Sequence, residues 1–459
     1  MKKRTLIACI SLVAMIAVGV LSYTLFFSNH FKPNVVLDYG FDEVDVGLQS
    51  INDVRDLIVE DLNNLSYNLT DVNNISVDFA MKDVLLEIDK DILETQLKNC
   101  IEQKEYTIDV KDILIFSDEK IAAIYTNFST NFLPEVIEPV NAYIEYDKEK
   151  NTHIIIDEVM GTTLVSNASD IVKKEVKGFN FSINLKDLNC YELPTIYKDD
   201  ELLVKNYEIL KEKESFSLTY LFGETKETID ISVWYDWVTF NYLEDGSLDV
   251  ENLYTVNEDS VKEYVKELSS KYTTYGKPHN FTTSTGEVLN ITKGDYGWWL
   301  NRDAMVDDIL THLQSMESVE KEAIFKQKAY CFGESDFSDS YVEVSIENQR
   351  VWMYVDGVCI VDTPVVTGNA SNGNDTRKGI FSLTYKTRNA TLRGAGYASF
   401  VYYWMPFDGG IGLHDATWRS SFGGKIYKTN GSHGCVNMPL EAAKTVYENL
   451  KSNMPIIVW

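Results

Sequence analysis

The run from Leu6 to Phe27 constrains this chain more than any other stretch, because it holds 22 residues and no charge. A helix of that length spans roughly 33 Å at ~1.5 Å per residue, enough to cross a hydrocarbon core of ~30 Å. A cleaved secretory signal is the competing reading, but the apolar region of such signals usually runs ~7 to 15 residues, and no A-x-A-like site follows here. An uncleaved transmembrane anchor through residues 6–27 is expected. Met1-Lys-Lys-Arg4 supplies a basic flank. Basic flanks stay cytoplasmic, so the N-terminus is expected inside and everything after Phe27 outside.

A chain of 459 residues exceeds a single core, so several domains are expected. The net charge of -28, from 42 basic and 70 acidic residues, argues against nucleic acid or any other polyanion as a partner bound through a broad basic face. The six cysteines form no C-x-x-C pair, which excludes a zinc ribbon or a disulfide-dense scaffold. Buried free thiols are the default for Cys100, Cys190, Cys331 and Cys359, with a Cys331–Cys359 bridge as the alternative. His30, His153, His279 and His312 have no second ligand type at metal spacing, so neither a metal nor a cofactor is expected.

The organisation reads as α+β and multidomain. Residues 1–28 form the cytoplasmic stub and anchor, 29–180 a first α+β module, 181–325 a second, and 335–459 a mainly-β domain. Apolar residues from Val46 to Leu65 recur at helical intervals and predict a helix with one buried face. Gly161-Thr-Thr-Leu164-Val-Ser-Asn-Ala168 has a counterpart 136 residues on in Gly297-Trp-Trp-Leu300-Asn-Arg-Asp-Ala304. Both copies read as strand, glycine turn and helix, which suggests two related modules. Trp234, Tyr235, Trp237, Tyr296, Trp298 and Trp299 suit a core better than a ligand platform. The polar run Ser315–Ser340, with Glu334 in it, marks the last boundary.

Beyond it the pattern is β: Tyr341–Ile346, Arg350–Val355 and Val358–Asp362, the last two joined by the hairpin signal Asp356-Gly357. Further strands are expected at Gly379–Tyr385, Ser399–Trp404 and Gly410–His414. A helix begins at Pro439, with Leu440, Ala443, Val446, Tyr447 and Leu450 as its apolar stripe.

One stretch carries chemistry. Ser432-His-Gly-Cys-Val-Asn437 places Cys435 among small residues just ahead of that helix, where the positive end of the backbone dipole and a nearby imidazole lower a thiol pKa. The competing reading is a buried cysteine in a tight turn. His414, at a strand end and separated from Ser432 by 17 residues, supplies the imidazole. The arrangement His-x17-Ser-His-Gly-Cys-x-Asn, with Trp418 four residues after the first histidine and Gly379-x-Phe381 upstream, resembles the L,D-transpeptidase (YkuD-like) family. The modules look like the peptidoglycan-binding-type repeats that precede this domain in membrane-anchored Gram-positive members.

The resemblance implies an L,D-transpeptidase domain with Cys435 as nucleophile and His414 as general base, oriented by a backbone carbonyl and not by Asp415. It implies an oxyanion hole from the amides of His433, Gly434 and Cys435, and a pocket shaped by Ser432, His433, Asn437 and Trp418. Peptidoglycan stem peptides are the implied donor and acceptor: a 3→3 cross-link forms through a Cys435 thioester as terminal D-alanine leaves. An L,D-carboxypeptidase or wall-peptide hydrolase using the same cysteine, and a non-catalytic wall-binding protein, stand as alternatives. One segment departs from the family, reading Asn374-Asp-Thr-Arg-Lys-Gly379 where Thr-Pro-x-Gly is usual.

Overall fold

The N-terminal residues Lys2–Phe27 form one helix, α1. Its Ile10–Phe27 portion has a mean hydropathy of 2.2 and is long and apolar enough to cross a membrane by length and composition. The structure, a computed structural model, describes residues 2–86, 89–104, 106–133, 135–333, 336–394 and 396–459. The chain divides into two units, Met1–Glu145 with Ile155–Val204 and Tyr146–Ile154 with Lys205–Trp459.

In the first unit, α2 covers Ile51–Asn63 and buries Ile51, Val54, Ile58 and Leu62. Each such side chain stabilises the fold by roughly 1.5–3 kcal/mol relative to exposure. The helix starts five residues later than Val46, because Leu48 adopts φ +67° and the Ser50 hydroxyl caps the turn, accepting from Asp53 N–H at 3.2 Å. Strands β1 (Ser66–Thr70) and β2 (Ser76–Ala80) form a hairpin. Helix α3 (Ala168–Lys177) follows, and β3 (Ser182–Asn184) returns parallel to β1 with Leu69 opposite Ile183. Since Ile183, Leu185 and Cys190 lie in this unit's core, the boundary expected at 180/181 falls inside it.

Helix α4 (Glu201–Lys213) leads into the second unit, which repeats the plan. Strands β4 (Leu218–Phe222) and β5 (Thr225–Ile229) form a hairpin, helices α5 (Glu258–Tyr272) and α6 (Arg302–Ser315) follow, and β6 (Val319–Glu322) runs parallel to β4. Both sheets thus share one order: second strand, first strand, returning strand. The two repeat glycines are close approaches of backbone to backbone. A Cβ on Gly161 would meet Pro139 N at 2.6 Å, and one on Gly297 would meet Tyr275 N at 2.5 Å. Trp234, Trp237, Tyr296 and Trp298 are buried as expected; Trp299 is half-exposed and stacks on Tyr275. Strand β6 occupies the start of the polar run after Ser315; Glu334 is outside the described residues.

The C-terminal part is built on two sheets. The first contains β7 (Tyr341–Ser345), β8 (Arg350–Val355), β9 (Val358–Pro364) and β10 (Gly379–Ser382). Asp356 and Gly357, at φ +48° and +79°, make the two-residue turn between β8 and β9. The second contains β11 (Thr387–Gly394), β12 (Tyr397–Asp408), β13 (Ile411–Asp415) and β14 (Val436–Met438), with β13 and β14 parallel. Helix α7 (Leu440–Asn449) buries Ala443 and Val446 between them, and β15 (Pro455–Val458) completes the first sheet between β7 and β10.

Within this unit the module and the sheet domain share backbone bonds. Ile380 N–H donates to Lys293 O at 2.9 Å, and Asp295 N–H donates to Ile380 O at 3.1 Å. Tyr296, Trp298 and Phe337 pack in one cluster with Trp352, Ile457 and Trp459. The buried Glu343 carboxylate accepts Ser284 N–H at 3.0 Å and the Trp459 indole N–H at 2.9 Å, so its charge is not left unsolvated. Cys359 is a free thiol, exposed instead of buried, so the alternative of a Cys331–Cys359 bridge does not hold.

Candidate active site

Parallel pairing of β13 with β14 sets the site. It places His414 opposite Asn437, hence two residues out of step with Cys435. A cleft of about 160 Å³ opens there, lined by His414, Trp418, Ser432, His433, Cys435 and Asn437, with Arg419, Gly431, Leu392 and Ser399 completing it. Leu392 and Ser399 come from the long β11–β12 hairpin. Every side chain expected at the site lines this cavity, and Gly434 lies buried in the turn that carries Cys435.

The imidazole of His414 is 3% exposed and its Nδ1 donates to Asp415 O at 2.8 Å. That bond fixes the tautomer with a free Nε2 as acceptor. The Asp415 carboxylate is committed elsewhere, accepting Tyr402 N–H and Tyr403 N–H at 2.8 Å each. Trp404 and Trp418 flank the imidazole at 5.8 and 5.9 Å between ring centroids. This apolar enclosure holds the His414 pKa below its usual value: burial comes first, and the Arg419 cation adds to it.

Cys435 differs from the expectation in two respects. It precedes strand β14, not a helix, and α7 begins only at Leu440, so no helix dipole acts on the sulfur. Its thiol points at Gly410 O, 3.7 Å away, and burial pushes its pKa up to about 11. At neutral pH the pair therefore rests as thiol and neutral imidazole. No ionised thiolate is stored in the resting cleft.

The turn itself is held from behind by residues that sequence reasoning passed over. The Thr376 hydroxyl donates to Gly434 O at 2.7 Å and accepts Gly368 N–H at 3.0 Å. Thr376 lies in the segment that departs from the family pattern, and its 2% exposure shows that the departure is structural in use. Gln349 reaches the same strand, accepting Thr367 N–H at 2.9 Å. Ser432 N–H donates to Thr367 O at 3.0 Å, and Asn437 exchanges two backbone bonds with Val366. Gly434, at φ +119°, gives its N–H to Ser432 Oγ at 3.1 Å, so one of the three expected oxyanion donors is engaged in the resting site. Arg419 was also missed; its place after Trp418 was the only sequence signal. Among the described residues no group of three metal-ligating side chains occurs.

Comparison with known proteins gives two family matches. Residues 339–458 match the model of an L,D-transpeptidase catalytic domain, and residues 240–320 that of a putative peptidoglycan binding domain. No curated protein matches the chain. Among solved structures, an Enterococcus faecium L,D-transpeptidase in a cysteine-to-serine mutant form is 28% identical, covering 54% of this chain and 96% of that one at a TM-score of 0.43. The catalytic domain of an E. faecium L,D-transpeptidase acylated by ertapenem is 39% identical over 27% of this chain and 98% of that one, at a TM-score of 0.25. An L,D-transpeptidase from Mycobacterium smegmatis is 23% identical over 26% of this chain and 58% of that one, at a TM-score of 0.24.

Proposed function

Because the chain belongs to the L,D-transpeptidase family, with that family's catalytic domain at residues 339–458, we propose that it forms 3→3 peptidoglycan cross-links by acyl transfer through Cys435. The observation that carries this reading is the meeting of the Cys435 thiol and the His414 imidazole in one cleft, with His414 Nδ1 tied to Asp415 O and Nε2 left to accept.

His414 Nε2 takes the thiol proton as the sulfur attacks the carbonyl between the third residue and the terminal D-alanine of a tetrapeptide stem. The oxyanion forms against the backbone amides of the His433–Cys435 turn, for which Gly434 N–H exchanges Ser432 Oγ for substrate. The C–N bond breaks, His414 returns the proton to the departing D-alanine amine, and a thioester remains. The side-chain amine of a second stem's third residue then attacks the thioester, its proton passes to His414, and the C–S bond breaks to restore the thiol. Generating the thiolate only in the presence of substrate protects the nucleophile from alkylation and oxidation between turnovers.

Helix α1 acts as the membrane anchor, with its basic N-terminal flank inside and the catalytic domain in the wall. The two modules of like topology act as wall-binding elements of the ectodomain. The decisive experiment incubates the full chain with disaccharide tetrapeptide and analyses products by mass spectrometry. Cross-linked dimer with release of D-alanine, lost in Cys435→Ala, is expected; tripeptide without dimer would mean that water is the acceptor and the enzyme is an L,D-carboxypeptidase. Carbapenem should acylate the wild type and leave Cys435→Ala unmodified.

A further inference from the structure

A second cavity, of about 650 Å³ against about 160 Å³ for the catalytic cleft, opens where the second module meets the catalytic sheet. Residues 293–295 of the module and 375–378 of the sheet domain line it, with Phe381 and Asp408. Its volume falls in the range of roughly 300–1,000 Å³ typical of ligand pockets, which concentrate at seams between folded parts. The walls are held by close backbone approach. A Cβ on Gly294 would lie 1.9 Å from Ile380 O, and one on Gly379 would lie 2.8 Å from Lys293 O. Glycine at both positions lets the two loops hydrogen-bond, so the lining residues are in place before any ligand arrives.

The charges in this cavity are only partly matched. Arg377 and Asp408 satisfy one another through two N–H bonds. Among the described residues, Lys293, Lys378, Asp295 and Asp375 form no ion pair, although all four line the cavity. Surrounding atoms withdraw water from the Asp295 carboxyl, and that burial, with the Asp408 charge added, holds its pKa above its usual value. A cation is what this group lacks. Three cations and three carboxylates line the cavity, a balance that disfavours a polyanion. No three metal-ligating side chains converge among the described residues. A ligand carrying one ammonium and one carboxylate matches the lining.

We propose that this cavity binds an uncross-linked peptidoglycan stem outside the catalytic cleft, with Asp295 taking the free side-chain amine of its third residue and Lys293 and Lys378 its terminal carboxylate. The inference rests on the peptidoglycan reading above for its ligand and on the cavity for its site. The same cavity backs the nucleophile. Thr376, which lines it, donates to Gly434 O, and Asp408 lies two residues before Gly410, whose carbonyl receives the Cys435 thiol. A stem bound there ties together the loops behind the catalytic turn. Cross-linking turns the amine into a neutral amide and releases that stem, which biases the enzyme toward wall still open to cross-linking.

Isothermal calorimetry on the full chain in detergent tests the site with disaccharide tripeptide, the stem without its terminal D-alanine. That probe has no residue to expel and cannot acylate Cys435. Two derivatives serve as comparisons, one acetylated on the side-chain amine and one amidated at the terminal carboxylate. Wild type should bind each derivative about 5- to 10-fold more weakly than the parent, the range for charge-assisted bonds on partly solvated walls. In Asp295→Asn the penalty for acetylation should fall to within about 2-fold while that for amidation stays. Lys293→Met combined with Lys378→Met should show the reverse. Each ratio is taken within one preparation, so loss of folded protein cancels. Absence of tripeptide binding, equal affinity for all three ligands in wild type, or penalties unchanged in the variants would overturn the site. Release of D-alanine from tetrapeptide is read separately on the same wild-type preparation: its presence keeps the acyl-transfer reading when the site fails, and its absence removes that reading on its own.

Discussion

Alkylation of Cys435 by iodoacetamide should titrate as a buried thiol. Burial moves the group from 9.0 to about 11, so at pH 7 the ionised fraction drops from about one in 10² to about one in 10⁴, a ~100-fold deficit in the reactive species. The two-unit shift corresponds to about 3 kcal/mol against the anion. The sign follows from the cause: water that would solvate the thiolate is replaced by Val401 and Trp404. The rate at Cys435, read by peptide mapping so that the exposed Cys359 is counted separately, should climb about tenfold per pH unit between pH 6 and 9. His414→Ala should keep that slope, because a neutral imidazole forms no ion pair with the resting sulfur, yet it should lose about 10²- to 10⁴-fold in acylation by peptide donor. A plateau in the wild-type profile below pH 8 would refute the reasoning, since it requires a thiolate already paired with an imidazolium.

Thr376→Val removes the hydroxyl shared by Gly434 O and Gly368 N–H while keeping the volume, so it should destabilise the chain by about 1–3 kcal/mol in urea unfolding and slow acylation through a loosened turn; a cost under ~0.5 kcal/mol would remove Thr376 from that role. Gly294→Ala puts a Cβ 1.9 Å from Ile380 O at φ +109°, whereas Gly286→Ala, at φ +87°, meets nothing within 4 Å. The first should lower the thermal midpoint far more than the second, whose cost is limited to the ~1–2 kcal/mol left-handed penalty.

How much was legible in the sequence follows from where the information is local. Asp356-Gly357, the alternating strands around it and the charge-free helix read directly, because turn chemistry and periodicity act over a few residues. That His414 and Cys435 line one cleft was legible through spacing and family likeness together. Strand β14 was not: three residues that pair with β13 have no periodicity of their own, and the helix signal at Pro439 masked them. That one misplacement reversed the sign of the thiol shift. Thr376 and Gln349 escaped for a related reason, since their partners lie 58 and 18 residues away. The module boundary slipped because β3 is three residues long and declares itself only by joining β1.

The cluster that joins the second module to the catalytic sheet has an optical consequence. Of eight tryptophans in the chain, Trp298, Trp352 and Trp459 lie together in it, each under 10% exposed. Three of the eight emitters therefore report on that junction. Parting of module from sheet would move the spectrum to longer wavelength while the backbone dichroism of each part stayed intact, so a fluorimeter can watch this seam open in the working enzyme without any label.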